Sequence, residues 1–341
     1  MTCVSTQSTL DPALYQVKRK KIIVMHNCFM HADQLAALRA AVDHGSFEAG
    51  ARALHITPSA MSQRIRTLEA GVGSVLVLRT LPVAVTEAGQ VILRLARQID
   101  LLETEALSRL PGRTADAESG GGAEVLALRI TVNADSLATW FRPVFDAAAT
   151  WTDAVLQVEI ADQDQADRAV AEAQSMGATS SRARPHHGCR VTPLGVMRYV
   201  AVAVPELLER CPAGPGAPQG LHADIHRMPM VDYGPDDELQ GRFLARWDAV
   251  RPQRRTLVPS SAEFLAAVEA GLGWGMLPEL QLAGSTAELM PIAAAGRNHI
   301  DVPIHWHRWK MPSDVLERLE TAVVDAARVL RPFEEGARRR R

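Results

Sequence analysis

Cysteine is scarce in this sequence, with Cys3, Cys28, Cys189 and Cys211 the four in 341 residues. They lie far apart and form no Cys-x-x-Cys pair, which argues against a disulfide scaffold or structural zinc and fits a reducing, cytoplasmic compartment. Long apolar runs are missing too: none approaches the roughly 20 residues that span a bilayer, so no membrane partner is expected. Basic "VKRKK" (Val17 to Lys21) precedes only "IIVM" before His26 and Asn27 interrupt, far short of the ~7–15 apolar residues of a secretion signal. No Gly-x-Ser-x-Gly, P-loop or dinucleotide fingerprint occurs, and no serine stands beside a paired base, so the chain does not read as an enzyme. His186-His187 and His305-x-His307 lack a third ligand nearby in sequence, so neither a metal nor another cofactor is expected.

What is present is an ordinary globular composition, 47% hydrophobic and 22% charged, in a chain long enough for two or three domains. The net charge of −2 is unevenly placed: residues 1–113 carry 13 Lys/Arg against 9 Asp/Glu, and the remainder 24 against 30. A basic N-terminal part on an acidic body suits contact with a polyanion. Residues 1–30 read as a disordered extension, with Met30 an alternative start, and "RRRR" (Arg338 to Arg341) closes a disordered basic tail at 333–341.

Periodic structure begins after Met30. "DQLAALRAAVDH" (Asp33 to His44) has apolar residues at helical spacing and ends at Gly45. Ser46 caps "FEAGARAL" (Phe47 to Leu54), and Thr57 caps a further helix with Pro58 at its first position. Tight joints between short helices read as a helix-turn-helix unit. "VLVLRTLPVAV" (Val75 to Val85), broken by Pro82, reads as a short hairpin or wing. In the long helix Glu87 to Leu110, Ala88, Ile92, Leu95, Ile99, Leu102 and Ala106 step alternately by four and three, a heptad seam that pairs two chains or else packs on its own domain. "PGRTADAESGGG" (Pro111 to Gly122) is a linker. Beyond it, strands expected at 125–132, 155–160, 176–179, 198–204, 229–232, 256–258, 274–277 and 303–309 alternate with helices at 136–149, 165–174, 237–249, 261–271 and 312–330, an α/β body with mostly parallel sheets.

"HITPSAMSQRIRTLEA" (His55 to Ala70) carries the clearest functional signal. At roughly 100° per residue, Met61, Ile65 and Leu68 share one side, and Ser59, Ser62, Gln63 and Arg66 share another about 140° away. One side packs. The other offers small hydroxyls, an amide and one long cation near a helix N-terminus, groups that fit the major groove of double-stranded DNA. A solvated face more often carries Glu and Lys, and this one has neither.

The stretch "SFEAGARALHITPSAMSQRIRTLEAGVGSVLVLRTLPVAVTEAG" closely resembles the N-terminal domain of LysR-type transcriptional regulators. "VNADSLATWF" (Val132 to Phe141), "ADQD" (Ala161 to Asp164), "GCRVTPLGVMRYVAVA" (Gly188 to Ala203), "PSSAEFLAAVEAGLGWGMLPE" (Pro259 to Glu279) and "VPIHWHRWK" (Val302 to Lys310) resemble its ArgP/LysG group, which senses basic amino acids and controls amino-acid export. The resemblance covers nearly all of residues 31–330. It implies a winged helix-turn-helix domain at 31–88 (motif 47–66), a linker helix and linker at 89–122, and an effector domain at 123–332 like a periplasmic binding protein. In that domain lobe I is about 123–196 and 297–332, and lobe II about 197–296. It implies DNA contact by Thr57, Pro58, Ser59, Ser62, Gln63 and Arg66, with Arg79 and Thr80 in the wing, and assembly as a homodimer or homotetramer. "LPVAV" (Leu81 to Val85) lacks the basic residue often found in this wing.

Ligands of such folds sit at the C-terminal ends of strands. Those ends carry Asn133, Asp135 and Ser136, then Ser180 and Ser181, then Asp236 and Asp237, then Ser260 and Ser261, with Trp274 in "GLGWG". A basic amino acid needs hydroxyls and helix N–H groups for its carboxylate and carboxylates for its cations. Asp135 is expected at the α-amino group and Asp236/Asp237 at the side-chain cation; each could equally be a helix cap or first-turn acid. Ser180 and Ser181 stand where the group more usually has threonines, and Asp167 to Met176 diverges from its usual helix. The alternatives are a DNA-binding protein whose C-terminal domain is a ligand-independent interaction module, and an enzyme fused to a DNA-binding module.

Overall fold

Caps and turns set the N-terminal helices. The computed structural model describes residues 30–108, 125–161, 166–235 and 237–333; the expected extension up to residue 29, the linker Pro111 to Gly122, Asp236 and the basic tail beyond 333 lie outside the described residues. The chain divides into two units, Met1–Glu103 and Thr104–Arg341. In the first, α1 (Ala32–Asp43), α2 (Phe47–Ala53) and α3 (Pro58–Val72) precede a hairpin of β1 (Val77–Leu78) and β2 (Ala84–Val85) and then α4 (Glu87–Ser108). Ser46 Oγ accepts from the Ala49 N–H at 3.0 Å and Thr57 Oγ1 from the Ala60 N–H at 3.2 Å, so both expected caps are in place. Gly50 lets α1 and α2 cross closely, since a Cβ there would stand 2.8 Å from the Ala40 backbone.

Leu38, Met61, Ile65, Leu68 and Leu76 are at most 1% exposed and form the core of this unit. Each such side chain is worth roughly 1.5–3 kcal/mol on burial. Glu69 Oε1 accepts from the N–H groups of Leu76 and Val77 at 2.9 and 3.3 Å, tying the start of the wing to α3. The heptad stripe of α4 divides. Ala88, Ile92 and Ile99 pack against the core of their own unit, whereas Leu102 is 41% exposed, as are Val91 (66%) and Leu107 (41%) outside the stripe. Arg97, nearly buried, pairs with Asp43.

The second unit is built on a seven-stranded sheet in the order β10-β6-β11-β5-β3-β4, with β9 also on β6. Its first part runs β3 (Leu126–Val132), α5 (Ala134–Thr139), α6 (Arg142–Ala148), β4 (Ala154–Ile160), α7 (Ala166–Ala171) and β5 (Gly177–Ser180). The long β6 (Cys189–Ala203) leads through α8 (Pro205–Arg210) to β7 (Met230–Asp232), α9 (Leu239–Ala245), β8 (Arg255–Leu257) and α10 (Ser261–Glu269). Then come β9 (Gly275–Pro278), α11 (Glu279–Leu282), β10 (Met290–Pro291), β11 (His299–Trp309) and α12 (Asp314–Ala326).

Mostly parallel sheets are not what forms. Among the named strands of the described residues, parallel pairing joins β3 to β4 and β5, and β7 to β8. The β6 and β11 strands instead make a long antiparallel ribbon, His299 opposite Val200 through Trp309 opposite Cys189. One end of it pairs with β5 and the other with β9 and β10. The strand expected at 198–204 starts nine residues earlier, at Cys189. Pro193 and Gly195 sit where the register shifts at Ile304/His305, and a bulge is where a strand tolerates such residues. The helix expected at 136–149 is two, α5 and α6, because Pro143 falls in the first turn of α6 and cannot donate back to Thr139.

Candidate functional site

Two places concentrate polar side chains. In the N-terminal unit, α3 buries Met61, Ile65 and Leu68 and exposes Thr57, Pro58, Ser59, Gln63 and Arg66, with Ser62 half-buried. The exposed groups are ordered locally. Thr57 Oγ1 and Ser59 Oγ share a hydrogen bond of 2.9 Å, Gln63 Nε2 donates to Thr67 Oγ1 at 3.5 Å, and Arg66 Nε donates to the Ser62 carbonyl at 3.2 Å. In the wing, the exposed Arg79 guanidinium stands 5.5 Å from the centroid of the Phe47 ring, and the Thr80 hydroxyl donates to the Pro82 carbonyl at 2.7 Å. The helix therefore presents hydroxyl, amide and guanidinium groups on one open side, with Thr57 at its N-terminus.

In the second unit a cavity of about 270 Å³ opens between the ends of β3 and β4 and the elements around β7 and β9. Asn133, Asp135, Asp237 and Ser261 line it, as does Tyr199 from β6. Asp135 is its centre: Tyr199 donates to Oδ2 at 2.8 Å and Ser261 to Oδ1 at 2.7 Å, the second bond joining α5 to α10. Burial holds the Asp135 carboxyl above the usual carboxylate range, against the lowering effect of those two hydrogen bonds. Asp237 Oδ1 accepts from the Leu239 N–H at 2.9 Å. Burial raises its pKa as well, the Leu239 bond opposes this, and the charges of Asp232 and Asp135 push it further up. Among the described residues no salt bridge holds Asp135 or Asp237.

Behind Asp237, the fully buried Asp232 is paired with Arg251 at 3.1 Å and Arg255 at 3.5 Å. Arg251 also donates to the Asp237 carbonyl, fixing the turn that carries the acid. Asn133 is fixed by Thr179, whose Oγ1 takes the Asn133 N–H at 3.1 Å and donates to Asn133 Oδ1 at 3.1 Å.

Five expected positions lie off the lining. Ser136 is buried inside α5 and Trp274 is buried against Phe243, ring centroids 5.5 Å apart. Ser180 is turned to the buried Asp167, donating at 3.3 Å, and Asp167 also meets His186 Nε2 at 2.6 Å. Ser181 is half-buried, and Ser260 caps α10 through the Glu263 N–H. Asp236 lies outside the described residues. His307 Nε2 donates to the Arg182 carbonyl at 2.7 Å, and burial lowers its pKa; among the described residues no three His, Cys, Asp or Glu gather as metal ligands.

Tyr199, Tyr233, Gln240 and Gln281 line the cavity without having been singled out in the sequence. One signal was available for Tyr199: it is one of three tyrosines in the chain and falls in step with Met197, Ala201 and Ala203 on the buried face of its strand. The two glutamines gave none, since each sits in a first helical turn that reads as solvated.

Residues 32–90 match the bacterial regulatory helix-turn-helix proteins of the lysR family, and residues 122–328 match the LysR substrate binding domain. The chain is 42% identical over 307 residues to the lysine export transcriptional regulatory protein LysG of Corynebacterium efficiens, covering 88% of this chain and 97% of that one. Full-length LysG from Corynebacterium glutamicum with bound effector Arg is 39% identical with a TM-score of 0.70, over 89% of this chain and all (100%) of that one. ArgP from Mycobacterium tuberculosis is 40% identical with a TM-score of 0.72, over 88% and 98%. A reading helix with one apolar and one polar side, joined in a single chain to a two-sided cavity domain, together with these matches over most of the sequence, makes this chain a member of the LysR family of transcriptional regulators.

Proposed function

We propose that this regulator binds a basic amino acid, lysine or arginine, in the cavity around Asp135 and Asp237 and that occupancy changes its action on DNA at an amino-acid exporter gene. The single observation that carries the reading is the pair of half-buried carboxylates in one cavity, neither held by a salt bridge among the described residues. A cation that enters restores the charge balance that burial withholds. The relatives support the choice of ligand: one is a lysine export regulator, and a second was solved with bound arginine. Asn133 and Ser261 complete the site, with Asp236 adjoining it in sequence. At the other end of the chain, Thr57, Pro58, Ser59, Ser62, Gln63 and Arg66 contact the operator, and Arg79 and Thr80 contact it from the wing.

Two copies pair through α4. Val91, Leu102 and Leu107 are the large apolar side chains it leaves open, whereas Ile99 serves its own unit. Leu102→Glu should therefore shift the protein toward monomer in sedimentation, and an unchanged sedimentation coefficient would remove α4 from the interface.

Calorimetry tests the ligand. L-arginine and L-lysine should bind the full-length protein and norleucine should not, because norleucine leaves one acid unpaired. Asp237→Asn should abolish that preference. Equal binding of norleucine and lysine would refute the reading.

A further inference from the structure

The cavity is rich in acceptors and poor in donors. Among the described residues that line it there is no Lys, Arg or His, so a ligand carboxylate would meet no cationic side chain. Of the three hydroxyl residues that line it, Tyr199, Tyr233 and Ser261, two already donate to Asp135, Tyr199 and Ser261. The Asn133 amide, its Oδ1 held by Thr179, is a neutral group.

Two further acceptors stand unmatched. Gln240, 1% exposed, and Gln281 each leave Oε1 buried without a partner among the described residues. Their orientation is fixed, because the amide nitrogens face backbone carbonyls: Gln240 Nε2 donates to Val231 O at 3.5 Å and Gln281 Nε2 to Ser261 O at 2.9 Å. Turning either amide over would set oxygen against oxygen. These acceptors fall into two pairs. Gln281 is bonded to Ser261, which is bonded to Asp135. Gln240 follows Leu239, whose N–H holds Asp237. Each carboxylate thus has a lining glutamine linked to it through one intervening residue, a set of acceptors that suits a group with several N–H donors and positive charge.

We infer that the cleft reads two cations rather than a carboxylate, and that it also takes linear α,ω-dications with no carboxyl group, the decarboxylated counterparts of the basic amino acids. The inference rests on the cationic-effector reading above. Removing the carboxylate from lysine takes away a group for which the cavity holds no opposite charge; removing the terminal ammonium strands one carboxylate–amide pair.

The test is calorimetry on the full-length protein with L-lysine, 1,5-diaminopentane, agmatine and norleucine. Diaminopentane should bind within about tenfold of L-lysine, a difference of one 1.4 kcal/mol step or less, and norleucine should not bind detectably. Gln240→Leu should weaken diaminopentane by about tenfold or more. Gln281→Glu should tighten it, an outcome that misfolding cannot imitate. If lysine binds and the diamines do not, the inference falls while the amino-acid reading stands. If norleucine binds as well as lysine, or no cation binds at all, both fall.

Discussion

The reading helix and the cavity use polar side chains in opposite ways. On α3, Ser59, Gln63 and Arg66 are exposed, and the bonds given for them stay within the helix or its cap. In the cavity, Asp135 and Asp237 are half-buried and Gln240 is buried, and their partners come partly from other elements. The first arrangement suits a large polyanion, because hydrated donors can be redirected to phosphates and base edges at little cost. The second suits one small cation, because desolvated acceptors discriminate strongly against anything that leaves them unpaired. The same residue chemistry thus serves recognition of opposite charges, and burial decides which.

That contrast can be broken at its supports or sharpened at its contacts. Ile65→Ala, on the packed side of α3, should destabilise the N-terminal unit by about 2–5 kcal/mol in denaturant unfolding. Arg251→Ala should destabilise the effector unit by about 1–3 kcal/mol, below the range for a fully buried pair, because its side chain is 26% exposed and Arg255 still holds Asp232. Gln63→Ala should reduce operator affinity by about 1–3 kcal/mol while changing stability by no more than about 0.5 kcal/mol; equal losses in both would show that the polar side of α3 also supports the fold.

The subtlest effect is a pH dependence. Asp135 and Asp237 have raised folded-state pKa values, chiefly from burial. Their contribution to the stability of the ligand-free protein is greatest below the unfolded value of about 3.9 and is lost as pH rises through the raised folded values. Asp237→Asn should remove its share of that loss, so the variant should gain stability over wild type as pH increases toward 7. Arginine binding runs the other way and should weaken on acidification through the same window. An Asp237→Asn unfolding curve parallel to wild type across that range would contradict the assignment.

The two regions also differ in how far the sequence alone revealed them. The helix wheel of His55 to Ala70 assigned Met61, Ile65 and Leu68 to the packed side and Gln63 and Arg66 to the open side, as found. A helix face is a local object, set by a period of 3.6 residues. The cavity is assembled from residues near 133, 199, 237, 261 and 281, and only the tertiary fold decides which of them face inward. Asp135, Asp237, Asn133 and Ser261 were legible because they stand at strand ends or helix starts. Ser180 stands at such an end too but is taken by Asp167, a buried acid on α7 that the chain pattern gave no reason to place there. Strand positions were visible from hydrophobic runs, but their directions were not, because the β6–β11 ribbon depends on a bulge at Pro193 and Gly195 and on pairing across about a hundred residues.

Regulation by this protein requires that occupancy of the cavity reach the reading helix. Footprinting on the DNA upstream of a neighbouring amino-acid exporter gene, with and without L-arginine, should be done on wild type and on Asp237→Asn. The account predicts that arginine alters the protected region for wild type and leaves it unchanged for the variant. An identical arginine response in both proteins, or none in wild type that binds arginine, would contradict it.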